Sequence, residues 1–197
     1  MKINRLRTQC HACQLAVLLT LCGITFLLLP ACESKEPTLL EEGEMTLSVS
    51  SQAFQEGESI PIKYTGEGQD VSPPLTWSES PAGTQSLALI VGDPDAPGGV
   101  FTHWVLFNLS ADSRELPEAV PSQTQLPDGS LQGKNDFGRL GYSGPCPPPG
   151  RAHRYQFTLY ALDKPLDLKA GASKKQVIDA MQGHILAWGR LTGTYQR

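Results

Sequence analysis

Asp93-Pro94-Asp95-Ala96-Pro97-Gly98-Gly99-Val100-Phe101-Thr102-His103-Trp104 lies between two apolar runs, and its reading decides how the chain must fold. Upstream, Leu87-Ala88-Leu89-Ile90-Val91 reads as a buried strand, and downstream Trp104-Val105-Leu106-Phe107 reads as another. The link between them is stiffened by proline and bent by glycine. Two carboxylates and an imidazole therefore stand at strand ends beside a rigid loop, where sites on β scaffolds commonly sit. The plainer alternative is a surface turn whose aspartates cap their own backbone amides.

Alternation along each strand extends this reading. Leu87, Leu89, Val91 and Asp93 fall on one side of the first strand, so an apolar face ends in a carboxylate. His103, Val105 and Phe107 share a face of the second. His153, Tyr155, Phe157 and Leu159 share a face of a later strand, His153 to Leu162. Two strands thus begin with a histidine on an apolar side. A single histidine there is commonly a satisfied core residue; two, with two aspartates, point to a site.

Toward the N-terminus, Thr46–Ser50 and Ser59–Tyr64 alternate as strands near a sheet edge, and Leu75-Thr76-Trp77 is a third short run. Residues 113–138 are polar and loop-rich. Gly141-Tyr142-Ser143-Gly144-Pro145-Cys146-Pro147-Pro148-Pro149-Gly150 cannot enter a sheet interior and reads as a shaped wall delivering His153. One helix is expected after Ser173, with Val177, Ile178 and Met181 as its apolar stripe and Gly183 at its end. His184 to Tyr195 is a final strand. The sum is a mainly β chain, an antiparallel sheet or sandwich with one or two short helices.

The first residues read differently. Met1 to Arg7 is basic, and Leu15 to Leu29 is almost wholly apolar and uncharged, as in a secretory signal. Leu29-Pro30-Ala31-Cys32 resembles a bacterial lipobox, and Glu33 resembles an outer-membrane sorting signal. The expected organisation is a signal peptide over 1–31, a lipidated Cys32 with a tether to 45, and a folded domain over 46–197. Such a protein would be lipid-anchored in the cell envelope, on the periplasmic face of the outer membrane. Cys10, Cys13 and Cys22 fall in the removed segment, so Cys146 reads as a packing thiol with no internal disulfide partner. All twenty acidic residues but only thirteen of the sixteen basic ones follow Ala31, leaving a net charge of −7. That charge excludes nucleic acid as a partner by bulk attraction and confines any anion to a local site.

Six stretches in order resemble the phosphatidylethanolamine-binding protein family, in its short bacterial Raf kinase inhibitor-like form. They are Ser72-Pro73-Pro74-Leu75-Thr76-Trp77, Asp93-Pro94-Asp95-Ala96-Pro97, His103-Trp104, Gly133-Lys134-Asn135-Asp136, Gly141 to Pro148, and His153-Arg154-Tyr155. The resemblance implies a β-sandwich with a pocket for phosphate-like groups, phospholipid headgroups included. It implies Asp93 and His103 in that pocket, His153 and Tyr155 facing them, and Gly141 and Pro145 along a wall. Asp95 and Trp104 are added as neighbours of the pocket, Trp104 also serving the core. Lys134, Asn135 and Asp136 are expected to brace the loop behind it.

The expected function is binding of a small anion or phosphorylated headgroup, with inhibition of a protein partner such as an envelope protease as the alternative. No cofactor is expected. No metal is expected either, since the spacing of Asp93, Asp95, His103 and His153 matches no standard metal motif. Catalysis is not expected: Gly141-Tyr142-Ser143-Gly144-Pro145 misses the nucleophile-elbow pattern at Pro145 and no strand-to-helix step follows.

Overall fold

The computed structural model describes residues 44–197. The expected signal peptide and the lipidation site at Cys32 lie outside them. Nine strands and one α-helix follow in order: β1 (Glu44–Met45), β2 (Val49–Ser50), β3 (Leu75–Trp77), β4 (Ser86–Asp93), β5 (Phe101–Ser110), β6 (Glu115–Leu116), β7 (Leu131–Gln132), β8 (His153–Leu162), α1 (Lys174–Met181) and β9 (Ile185–Tyr195). They form a six-stranded sheet in the order β1-β9-β8-β4-β5-β7 and a three-stranded sheet β2-β3-β6. Every pairing is antiparallel except β1 with β9. Glu44 and Met45, assigned to the tether by sequence, are already paired with Ala187 and Trp188.

The central strand β4 is buried along its whole length, because each of its faces meets a different core. Leu87, Leu89 and Val91 point with Phe157, Leu159, Trp104 and Leu106 toward the small sheet, where Val49, Leu75, Trp77 and Leu116 close the sandwich. Ala88 and Ile90 point the other way, with Val105, Phe107 and Tyr160, and are covered by Val177, Ile178 and Met181 of α1. Two apolar faces explain why the run 87–91 has no polar alternation. The helix begins as expected at Ser173, whose hydroxyl accepts from the Gln176 amide in a full capping box.

Two expectations fail for identifiable reasons. Ser59–Tyr64 is not a strand: Ile60 donates to the Thr194 carbonyl, but Pro61 has no N–H to continue a ladder and Ile62–Tyr64 closes into a 3-10 turn. Cys146 is not the free packing thiol expected but is disulfide-bonded.

The third difference shapes the site. Pairing of β4 with β5 slips twice, so that Val91 faces Trp104 while Gly92 faces Thr102, and Leu87 faces Leu109 while Ala88 faces Phe107. His103 and Asn108 are the extra residues of two bulges. Asn108 adopts φ +58° and exchanges two hydrogen bonds with the Leu166 backbone, at 2.7 and 2.9 Å, tying the segment before α1 to the sheet. The bulge at His103 breaks the expected alternation. Val105 and Phe107 remain under α1, whereas the His103 ring lies edge-on to Tyr155 on the opposite face.

Candidate functional site

Three strand ends converge at one edge of the sandwich core. Asp93 is the last residue of β4, His153 the first of β8, and Tyr155 follows two positions later on the same face. Antiparallel register matches Gly92 with Gln156, so Asp93 and Tyr155 are the next opposing positions. His103 joins them through its bulge. Its ring centroid is 5.1 Å from that of Tyr155, nearly perpendicular at 83°.

Each imidazole is oriented through its Nδ1. His153 Nδ1 lies 2.8 Å from Asp93 Oδ2, so its N–H donates to the carboxylate. His103 Nδ1 lies 2.6 Å from the Ser143 carbonyl oxygen, which can only accept, so this nitrogen carries the proton. In both rings Nε2 is left as the atom for a ligand. Asp93 Oδ1 accepts from the Asp95 amide at 2.8 Å, the Asx turn foreseen as the plainer reading of this loop. That turn and the contact to His153 use different oxygens, so Asp93 does both.

Burial sets the charge states. Asp93 and His103 are each 3% exposed and His153 is 6% exposed, so the cluster is almost wholly buried. Desolvation lowers the His103 pKa, and it outweighs the opposing pull of the Ser143 carbonyl and of the Asp93, Asp136 and Asp70 carboxylates. His103 is therefore neutral near neutral pH. Burial also raises the Tyr155 pKa, with the Asp93 charge adding to it. The Tyr155 hydroxyl thus keeps its proton. Although Asp93 is near, that hydroxyl has no partner of good hydrogen-bond geometry, which is costly for a buried donor.

The loop walls are held from behind. Asn135 is buried; its Oδ1 accepts from the Phe137 and Arg139 amides, while its Nδ2 donates to Gly141 O at 3.1 Å and Ser143 Oγ at 3.0 Å. Asp136 Oδ2 accepts from the Thr102 amide at 2.6 Å, extending the edge of β5 beside His103. Ser143 donates its own amide to the His103 carbonyl. Gly144 donates to Asp70 Oδ1 and passes so close to Tyr64 that an added Cβ would lie 2.3 Å from its carbonyl oxygen. Gly141, at φ +82°, and Pro145, whose carbonyl accepts from Gly66, fix the two ends of this wall. Lys134 is exposed and contributes its backbone to the wall by pairing with Ala172.

Two expected site residues have other engagements. Asp95 grips Arg154 through three hydrogen bonds of 2.8–2.9 Å, to its amide, Nε and Nη2. The guanidinium holds the Asp95 carboxyl down to about 2, so its role here is to latch the 94–100 loop to the start of β8. Trp104 is fully buried, donates from Nε1 to Gln132 Oε1 at 2.8 Å, and packs edge-on against Tyr142 in the core. Sequence reasoning missed Ser143 as the carbonyl partner of His103, Asp70 as a prop of the wall, and the aromatic pair Phe101 and Phe137. Among the described residues no three His, Cys, Asp or Glu side chains group as a metal site. No described helix is long and apolar enough to cross a membrane.

Comparison with known proteins agrees with this architecture. The chain is 54% identical over 151 residues to a UPF0098 protein of Methanothermobacter thermautotrophicus, covering 77% of this chain and 99% of the relative. It is 41% identical to the candidate lipoprotein LppC of Mycobacterium tuberculosis, covering 76% of this chain and 72% of that one. Among solved structures, Escherichia coli YbcL, described as a member of the mammalian PEBP family, superposes with a TM-score of 0.72 at 35% identity, over 77% of this chain and 98% of YbcL. The phosphatidylethanolamine-binding protein homolog CT736 of Chlamydia trachomatis gives 0.70 at 42% identity, over 77% of this chain and 97% of its own. The family model for phosphatidylethanolamine-binding protein matches residues 50–196, which takes in every strand end, bulge and loop that builds the cluster. With sequence, fold and site segments in agreement, this chain belongs to the phosphatidylethanolamine-binding protein family.

Proposed function

We propose that the Asp93–His103–His153–Tyr155 cluster binds a small anion of the phosphate class, either free or as the headgroup of a phospholipid. The observation that carries this reading is the convergence of Asp93, His103, His153 and Tyr155 at one edge of the core, where the buried Tyr155 hydroxyl has only Asp93 near it and both imidazole Nδ1 atoms are already committed. A tetrahedral oxyanion offers an acceptor to the Tyr155 hydroxyl and, through a shared proton, a partner to an imidazole Nε2.

Charge balance makes the reading specific. Asp93 repels a dianion, so the ligand enters with a proton between its oxygen and an imidazole Nε2. His103, neutral at rest, accepts from a P–OH group or takes up the proton and donates to P–O⁻. Either way, a phosphate dianion binds with uptake of a proton. The same carboxylate accepts from an amine, which suits a zwitterionic headgroup. No bond-making step is assigned: the one hydroxyl of the wall loop near His103, on Ser143, is held by Asn135.

We place the protein in the cell envelope by way of an acylated Cys32, a reading supported by the lipoprotein name of the relative LppC. The test of the binding reading is an NMR titration with inorganic phosphate. Wild type is expected to shift at His103, His153 and Tyr155, and His153→Ala to lose the response. Equal shifts in the two proteins would remove the reading.

A further inference from the structure

Beside the polar cluster lies an aromatic group that the binding of a bare anion does not use. Phe137 is 43% exposed on a firmly held loop. Its amide donates to Asn135 Oδ1, and Gly138 after it turns the chain at φ +76°. The ring meets Phe101 edge-on, with centroids 4.8 Å apart at 71°, and meets His103 at 5.6 Å and 76°. Phe101 in turn lies 5.4 Å from His103. Three rings therefore form one contiguous surface, half-buried at Phe101 and exposed at Phe137, leading from solvent to the imidazole of the site.

We propose that Phe137 is a specificity-determining residue, selecting phosphate esters whose substituent is a flat apolar group over the free anion. This inference rests on the binding reading above. An ester oxygen carries its substituent away from the buried phosphate, and Phe137, exposed and packed on His103, is the apolar surface nearest to it on the solvent side. A planar ring there is placed to continue the edge-to-face sequence that Phe101, Phe137 and His103 already form. A small polar substituent gains nothing from that contact. Asp136, next to Phe137, accepts from the Thr102 amide through Oδ2 and so extends the wall.

The test compares phenyl phosphate, methyl phosphate and inorganic phosphate on the full chain by calorimetry or NMR. Wild type should bind phenyl phosphate about threefold to tenfold more tightly than methyl phosphate, the range of one edge-to-face aromatic contact. Phe137→Ala should bring the two esters together, and Phe137→Trp should restore the preference. Equal affinity of wild type for both esters would overturn the proposal, as would a preference that survives in Phe137→Ala. Failure of wild type to bind any of the three would instead overturn the binding reading on which the proposal rests. Phosphoethanolamine serves as a further arm: binding tighter than phenyl phosphate, unchanged in Phe137→Ala, would assign selectivity to Asp93 and overturn the role of Phe137.

Discussion

His103 carries the strongest conflict at the residue scale, an imidazole in a nearly closed site with carboxylates around it. Burial wins, and its folded pKa lies below the ordinary value of about 6.5. Between those two values the unfolded chain binds the extra proton, so stability rises with pH across that window and is lost on acidification below about 6.5. His103→Asn keeps a donor for the Ser143 carbonyl without a titrating ring. Urea unfolding at a series of pH values should therefore show a shallower loss of stability on acidification in His103→Asn than in wild type. Asp95 has the same sign in a lower pH window. Its carboxyl is held down to about 2, so the contribution of the Arg154 latch is complete above about pH 4 and disappears as pH falls toward 2. Arg154→Gln should raise the pH midpoint of acid unfolding measured by circular dichroism. Part of this was legible: alternation puts Asp93 on the apolar face of its strand and His153 with Tyr155 on that of theirs, and only the family resemblance implies that the two faces meet, as they do. Asp95 was legible only as a carboxylate near the site, because its partner Arg154 is 59 residues away.

The bulges of β5 matter most among the secondary-structure elements. Strict alternation puts His103 beside Val105 and Phe107, beneath α1, and no site would form there. One extra residue turns its ring to the face of Tyr155 and Asp93. Nothing in the residue pattern announces that insertion, which depends on the pairing partner. The second bulge leaves a clearer trace, since asparagine tolerates the left-handed conformation that residue 108 adopts. Asn108→Ala removes two hydrogen bonds to Leu166 and leaves a residue less suited to φ +58°; a loss of about 1–3 kcal/mol is expected from chemical denaturation. The wall loop is similarly strict. Gly144→Ala drives a methyl group into the Tyr64 carbonyl and the Thr65 backbone, and should cost about 1–3 kcal/mol while weakening phosphate binding through displacement of Ser143. The edge segment Ser59–Tyr64 was misread because its alternation is real but Pro61 ends the ladder.

For the whole molecule, a long sheet buried on both faces supplies the rigidity on which a narrow site depends. α1 covers one face, and Lys174 reaches from it to the Val100 carbonyl at 2.9 Å, so the helix also steadies the loop at the mouth of the site. The small sheet closes the other face over the core that ends in Tyr155. This layering was legible in outline, because continuous apolar runs imply two buried faces; the division into six and three strands was not, since β1, β2, β6 and β7 are only two residues long. With a net charge of −7 beyond Ala31, the domain has no bulk attraction to anionic surfaces, so in the envelope location proposed above membrane attachment would rest on an acylated Cys32. Cys32→Ala should move the protein from the membrane fraction to the soluble one. The central claim, that His103 and His153 belong to one binding site despite their different strands, is tested most directly by following both imidazole Nε2 resonances during a single phosphate titration. The account predicts that both shift along one binding curve with one dissociation constant, accompanied by proton uptake. Movement of one ring alone, or of neither, would contradict it.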